Sequence, residues 1–82
     1  MTDTVRALYD YVLENRFSAF LTDREYHTVD SLVEAHLDAL RRELPQDQRE
    51  RLDKLWDALG DQRGIELEAM FQAAWAAARE LA

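Results

Sequence analysis

The two histidines, His27 and His36, are the side chains best suited to acid–base or metal chemistry near neutral pH. They are nine residues apart in a segment with helical periodicity, which places them on opposite sides of a helix with 3.6 residues per turn. A bound metal ion needs three or four converging ligands, and neither histidine has the Glu-x-x-His spacing that builds metal sites in helical bundles. We therefore predict no metal site and no bound cofactor.

Nucleophilic catalysis also finds no support in the residue types. The chain has no cysteine, so thiol catalysis, disulfides and Cys-ligated zinc are all excluded. Ser18 and Ser31 are the only serines, and neither lies in a Gly-x-Ser-x-Gly turn. The only glycines, Gly60 and Gly64, flank Asp-Gln-Arg and do not form a phosphate-binding loop. We predict no catalytic residue, and the sequence favours a protein that is not an enzyme.

Carboxylates recur at helical spacing in two rows, which could bind a cation or a basic protein partner. The alternative is a solvated outer face, which is what charged residues opposite apolar ones usually form. The candidate acidic partner face comprises Asp30, Glu34, Asp38, Glu50, Asp53 and Asp57, with Asp61 continuing the second row.

A cluster of aromatic and small residues near the C-terminus is the most suggestive feature. Phe71 and Trp75 are four residues apart among six alanines. Small residues let a second helix approach closely, and aromatic side chains fill the remaining space. The candidate self-association surface comprises Met70, Phe71, Ala74, Trp75 and Ala78. The alternative is an ordinary core, and the two interpretations overlap if the core is completed across a dimer.

The elements that must position these residues are helices. The 82-residue chain has one proline, two glycines and few β-branched residues, whereas alanine, leucine, glutamate and arginine favour helices. We predict one all-α domain over residues 1–82, a small antiparallel bundle made of an N-terminal helix and a helical hairpin. The predicted helices cover residues 3–17, 23–44, 46–60 and 64–81. The last two are either separate or one long helix, which is our preference, kinked near Gly60–Gly64.

Local signals set the expected helix ends. Thr2 or Asp3 can cap the first helix, and Thr22 to Glu25 matches a capping box. Pro45 should end the second helix and start the third. The second helix carries apolar residues at nearly coiled-coil spacing, namely Tyr26, Val29, Val33, Leu37, Leu40 and Leu44. The third has Leu52, Leu55, Trp56 and Leu59 on its inward side.

The charge of −7 disfavours several partners. Nucleic acids and anionic membrane surfaces select clustered Lys and Arg, and no basic cluster occurs. The first ten residues do not read as a secretory signal, and no apolar run approaches the roughly 20 residues of a membrane helix. We expect a cytoplasmic protein.

Several short patterns resemble a family of uncharacterised bacterial proteins. They are Leu8-Tyr9, Arg24-Glu25-Tyr26, Leu40 to Leu44, and the closing pattern around Phe71, Trp75 and Leu81. The sequence is similar to short all-helical proteins of unknown function common in gut Firmicutes and their mobile elements. The resemblance implies Phe-x-x-Gly-Phe-x-x-Gly near the C-terminus, where this chain has Ala74 and Ala78 for the glycines and Trp75 for the second phenylalanine. It supports the fold and implies no catalytic residue.

These observations favour a small non-enzymatic interaction or accessory protein that forms a homodimer through its C-terminal helix. A small acidic regulator that binds a basic protein partner is the alternative. A ligand- or metal-binding helical bundle is a third class, and it would require inward-facing polar groups that the periodicity does not show.

Overall fold

The structure is a computed structural model that describes all residues from 1 to 82, and it is entirely helical. Four helices follow one another along the chain: α1 over Asp3–Asn15, α2 over Phe17–Phe20, α3 over Arg24–Glu43 and α4 over Gln46–Leu81. No strand is present. The predicted all-α class is therefore confirmed.

Short polar side chains cap the first two long helices. The Thr2 hydroxyl accepts a hydrogen bond from the backbone N–H of Val5 at 3.2 Å and begins α1. At the start of α3 the Asp23 carboxylate accepts from the backbone N–H of Glu25 at 2.7 Å. The expected capping box with Thr22 as the cap is wrong by one residue, because Asp23 takes the extended N-cap conformation and satisfies the free N–H.

The first helix is shorter than predicted, because the chain leaves the helical conformation at Arg16 (φ −123°, ψ −32°). The Asn15 side chain donates a hydrogen bond to the backbone carbonyl of Tyr11 at 3.0 Å, and such side-chain bonds compete with the helix ladder. Residues 17 to 20, most of which lie between the first two predicted helices, form the single turn α2.

Helices α3 and α4 form a hairpin around Leu44 and Pro45. Leu44 is extended (φ −88°, ψ 142°), as a residue before proline is expected to be. The Arg49 guanidinium donates to the Leu44 carbonyl at 3.2 Å, and Arg41 Nη2 pairs with Asp53 Oδ1 at 2.9 Å. These contacts hold the start of α4 against the end of α3.

Helix α4 is unbroken over 36 residues and passes through both glycines. Neither glycine has a positive φ, and a Cβ at either position would meet no atom within 4 Å. At 1.5 Å per residue the helix is about 54 Å long, which equals the longest dimension of the molecule, 54 Å. The question of one helix or two is thus answered by a single helix that spans the whole molecule.

The interior is very small. Tyr9, 7% exposed, is the one buried residue. Its ring meets that of Phe71 edge to face, with centroids 5.3 Å apart, which fixes α1 to the C-terminal half of α4. The radius of gyration is 17.1 Å, against about 12 Å for a compact chain of this length. The single chain is an elongated molecule without a continuous core.

Candidate functional site

A long apolar depression lies between α3 and the first half of α4, and we call it the hairpin groove. Ten residues line it, of which nine are apolar and the tenth is a histidine. They are Val29, Leu32, Val33, His36, Leu37, Leu40, Leu52, Leu55, Trp56 and Leu59. The depression encloses about 420 Å³. No charged side chain is part of its lining.

The hairpin groove is open because each helix has an apolar face wider than the contact between the two helices. Leu37 and Leu52 are partly covered at this contact. Seven larger side chains beside them stay 39% to 56% exposed, from Val33 at 39% to Leu55 at 56%. The residues predicted to face inward on α4 do face α3. Because only one helix covers them, Leu55, Trp56 and Leu59 remain 40% to 56% exposed.

The candidate self-association residues near the C-terminus are divided between two environments. Phe71 is half-buried against Tyr9 of the same chain. Met70, Phe71 and Ala74 line a separate apolar cavity of about 230 Å³ together with α1 and with Phe17 of α2. Trp75, which is 38% exposed, and Ala78 do not line this cavity. Part of the predicted self-association surface is therefore already packed against α1 of the same chain.

The candidate acidic residues do not form one surface. Asp30, Glu34 and Asp38 are exposed on α3 and do not line the hairpin groove. At helical spacing they run from its flank at Asp30 to the far side of α3 at Asp38. Asp53 lies beside α3 and forms the ion pair with Arg41, and its side chain is 49% exposed. Glu50 accepts a hydrogen bond from the Gln46 amide at 3.2 Å, and Asp57 is exposed.

One polar contact escaped the sequence analysis because its partners are 62 residues apart. Arg6 of α1 donates to Glu68 of α4 at 2.6 Å. The hydrogen bond and the charge of Arg6 lower the pKa of Glu68 from its ordinary value, and the same contact raises the pKa of Arg6. Both side chains are well exposed, so the pair orients α1 more than it stabilises the chain.

The two histidines lie in different environments on α3. His36 lines the hairpin groove among apolar side chains. The ring of His27 meets that of Tyr26 edge to face, with centroids 5.5 Å apart. No group of three or more His, Cys, Asp or Glu residues is arranged to hold a metal ion. None of the four helices combines the length and apolar character needed to cross a membrane.

Together, the fold and the hairpin groove define a small, all-helical protein with an unusually open apolar surface. The chain belongs to a family described as a family of unknown function (DUF6809), whose model matches residues 1–82. The resemblance to an uncharacterised family is thus confirmed over the full length. No curated protein and no solved structure matches the chain.

Proposed function

We propose that this protein is a non-enzymatic interaction protein that works as a homodimer, with α4 as the element shared by both chains at the interface. The observation that carries the proposal is the exposed area of the single chain. Its accessible surface is 7113 Å², whereas a compact 9.6 kDa monomer exposes about 5,100 Å². The excess of about 2,000 Å² per chain, or about 4,000 Å² for two chains, lies in the range that obligate homodimer interfaces bury.

The composition of this surface supports association rather than mere elongation. Large apolar side chains are exposed along much of α4, including Leu55 at 56%, Ile65 at 70% and Met70 at 69%. Single exposed apolar residues are normal, but a contiguous apolar patch marks an interaction surface. A domain of this size also has little core with which to offset its conformational entropy, and oligomerisation is a common solution.

Light scattering coupled to size-exclusion chromatography tests the proposal over a range of concentrations. We expect a mass of twice 9.6 kDa and a melting temperature that rises with concentration, because dimerisation stabilises the folded state by mass action. Mass must be measured directly, since an elongated monomer elutes early. A mass of one chain at every concentration, with a constant melting temperature, would contradict the proposal.

A second candidate function is regulation of a basic protein partner through the acidic side of α3. Its support is that Asp30, Glu34 and Asp38 are exposed and form no ion pair within the chain. The double variant Glu34→Lys/Asp38→Lys tests this better than changes at Asp53, because Asp53 also holds the hairpin together through Arg41. Salt-sensitive binding of a Lys/Arg-rich peptide should be lost in this variant with helicity unchanged. Equal binding by both proteins would rule this candidate out.

A further inference from the structure

We propose that the second copy docks on the hairpin groove, so that α3 and α4 of one chain and α3 and α4 of its partner form a four-helix bundle. This inference rests on the proposed homodimer and specifies its interface. A two-helix hairpin with one apolar side has the form of half of such a bundle, in which each helix covers the apolar rows of its neighbours. A two-fold arrangement brings the same face of both chains together.

Charge favours a second copy at this surface. Each chain carries −7, so two copies repel each other wherever their carboxylates come together. The lining of the hairpin groove contains no carboxylate, and the row Asp30, Glu34 and Asp38 lies outside it, running from the flank of α3 at Asp30 to the far side at Asp38. Two acidic chains can therefore meet at this surface while their acidic rows remain in water.

The exposed apolar area is close to what a stable homodimer requires. Seven large side chains of the hairpin groove are 39% to 56% exposed. With about 150–200 Å² for each whole residue, they present about 500–660 Å² of surface per chain. A standard interface buries about 800 Å² per partner, and about 65% of a homodimer interface is apolar, which corresponds to about 520 Å².

The C-terminal end of α4 is a weaker candidate for the main interface. The cavity there is already bounded on one side by α1, with Tyr9 packed against Phe71. A second chain at that position would have to displace α1, or it would cover only Met70 and Trp75. The hairpin groove has no other element of the chain over it, and so it gains most from a second copy.

Charge insertion at matched positions separates the two surfaces. Leu55→Glu places a carboxylate in the hairpin groove, and Met70→Glu places one at the C-terminal end. Both residues are more than half exposed, at 56% and 69%, so the fold of the single chain should tolerate either change. We expect Leu55→Glu to raise the dimer dissociation constant by about 100-fold or more, because the charge must be buried, and Met70→Glu to change it less than about threefold.

A wild-type monomer would overturn both the homodimer and the interface. A wild-type dimer that dissociates with Met70→Glu but persists with Leu55→Glu would overturn the interface alone. Circular dichroism of each variant shows whether its helices are retained.

Cross-linking provides a test that does not depend on destabilising the dimer. The chain has no cysteine, so one introduced thiol gives an unambiguous signal. His36 lies near the middle of the hairpin groove, and Glu34, two residues away, points to the opposite side of α3. With a short bis-maleimide we expect His36→Cys to form a covalent dimer and Glu34→Cys to remain a single chain. Equal yields, or a higher yield for Glu34→Cys, would overturn the inference.

Discussion

The two halves of α4 are packed differently, although one helix provides both. The C-terminal half meets only the 13-residue α1 and the single turn α2, yet the one buried residue, Tyr9 of α1, packs against it. The N-terminal half meets the 20-residue α3 and buries none. Side chains become buried when neighbours cover them from several directions. At Tyr9 these neighbours belong to the same chain, and over the hairpin groove we propose that they belong to a second copy.

Removing the buried ring is the strongest way to break the C-terminal half. We expect Tyr9→Ala to lower the free energy of unfolding by about 3 kcal/mol, because the substitution leaves a cavity and removes the contact with Phe71. Urea denaturation followed by circular dichroism measures the loss. Tyr11→Ala is the matched control, since Tyr11 lies on the same helix and is 49% exposed. Equal losses in the two variants would show that α1 is not held through Tyr9.

Replacing the one polar residue of the hairpin groove tests whether a second copy covers this surface. His36→Leu makes the lining wholly apolar, so we expect the dimer to bind about tenfold more tightly, since no imidazole has to lose its water on association. Dilution experiments with light scattering or sedimentation give the dissociation constant. His27→Leu, on the same helix but outside the hairpin groove, should leave the constant unchanged. A weaker dimer in His36→Leu would indicate that the imidazole is hydrogen-bonded across the interface.

The glycines between the two halves provide a smaller test. A Cβ at Gly60 would meet no atom within 4 Å, so Gly60→Ala should raise the free energy of unfolding by about 0.5–1 kcal/mol through helix propensity. Thermal unfolding at several concentrations measures this gain and shows whether it affects the monomer or the dimer. Weaker dimerisation, in contrast, would mean that a second chain approaches the α4 backbone closely at this position.

The smallest expected effect concerns the ion pair that orients α1. Because Arg6 lowers the pKa of Glu68 from 4.5, the pair stabilises the folded state above that value and loses its contribution as the pH falls through the folded-state pKa. Wild type and Glu68→Gln should therefore differ slightly in stability at pH 7, and the difference should shrink as the pH falls below 4.5. Glu66→Gln is the control on the same helix. A difference that does not shrink on acidification would require a cause other than this pair.

The sequence predicted the helices better than the contacts between them. Composition and Pro45 are local signals, and they were sufficient for the all-α class and for the hairpin turn. The cap of α3 was misplaced by one residue because Thr22 and Asp23 are both good N-cap residues, and only the backbone conformation distinguishes them.

Long-range features could not be predicted in the same way. The contacts of Tyr9 with Phe71 and of Arg6 with Glu68 join residues 62 positions apart, and their formation depends on where α1 docks. Apolar periodicity correctly identified the side of α4 that holds Leu55 and Leu59, but periodicity describes which side is apolar and not how completely it is covered. The hairpin groove is the part of the apolar side that the single chain leaves uncovered.

The continuity of α4 through Gly60 and Gly64 also makes the two halves parts of one cooperative unit. Opening of one half frays a hydrogen-bond ladder that the other half shares, although the halves differ in how firmly they are held. Amide hydrogen exchange resolves this behaviour residue by residue. In a dimer formed through the hairpin groove, the amides of residues 46–60 should become strongly protected with rising protein concentration. The amides of residues 67–74 should gain less protection, because the stabilisation reaches them only through the intervening part of the helix.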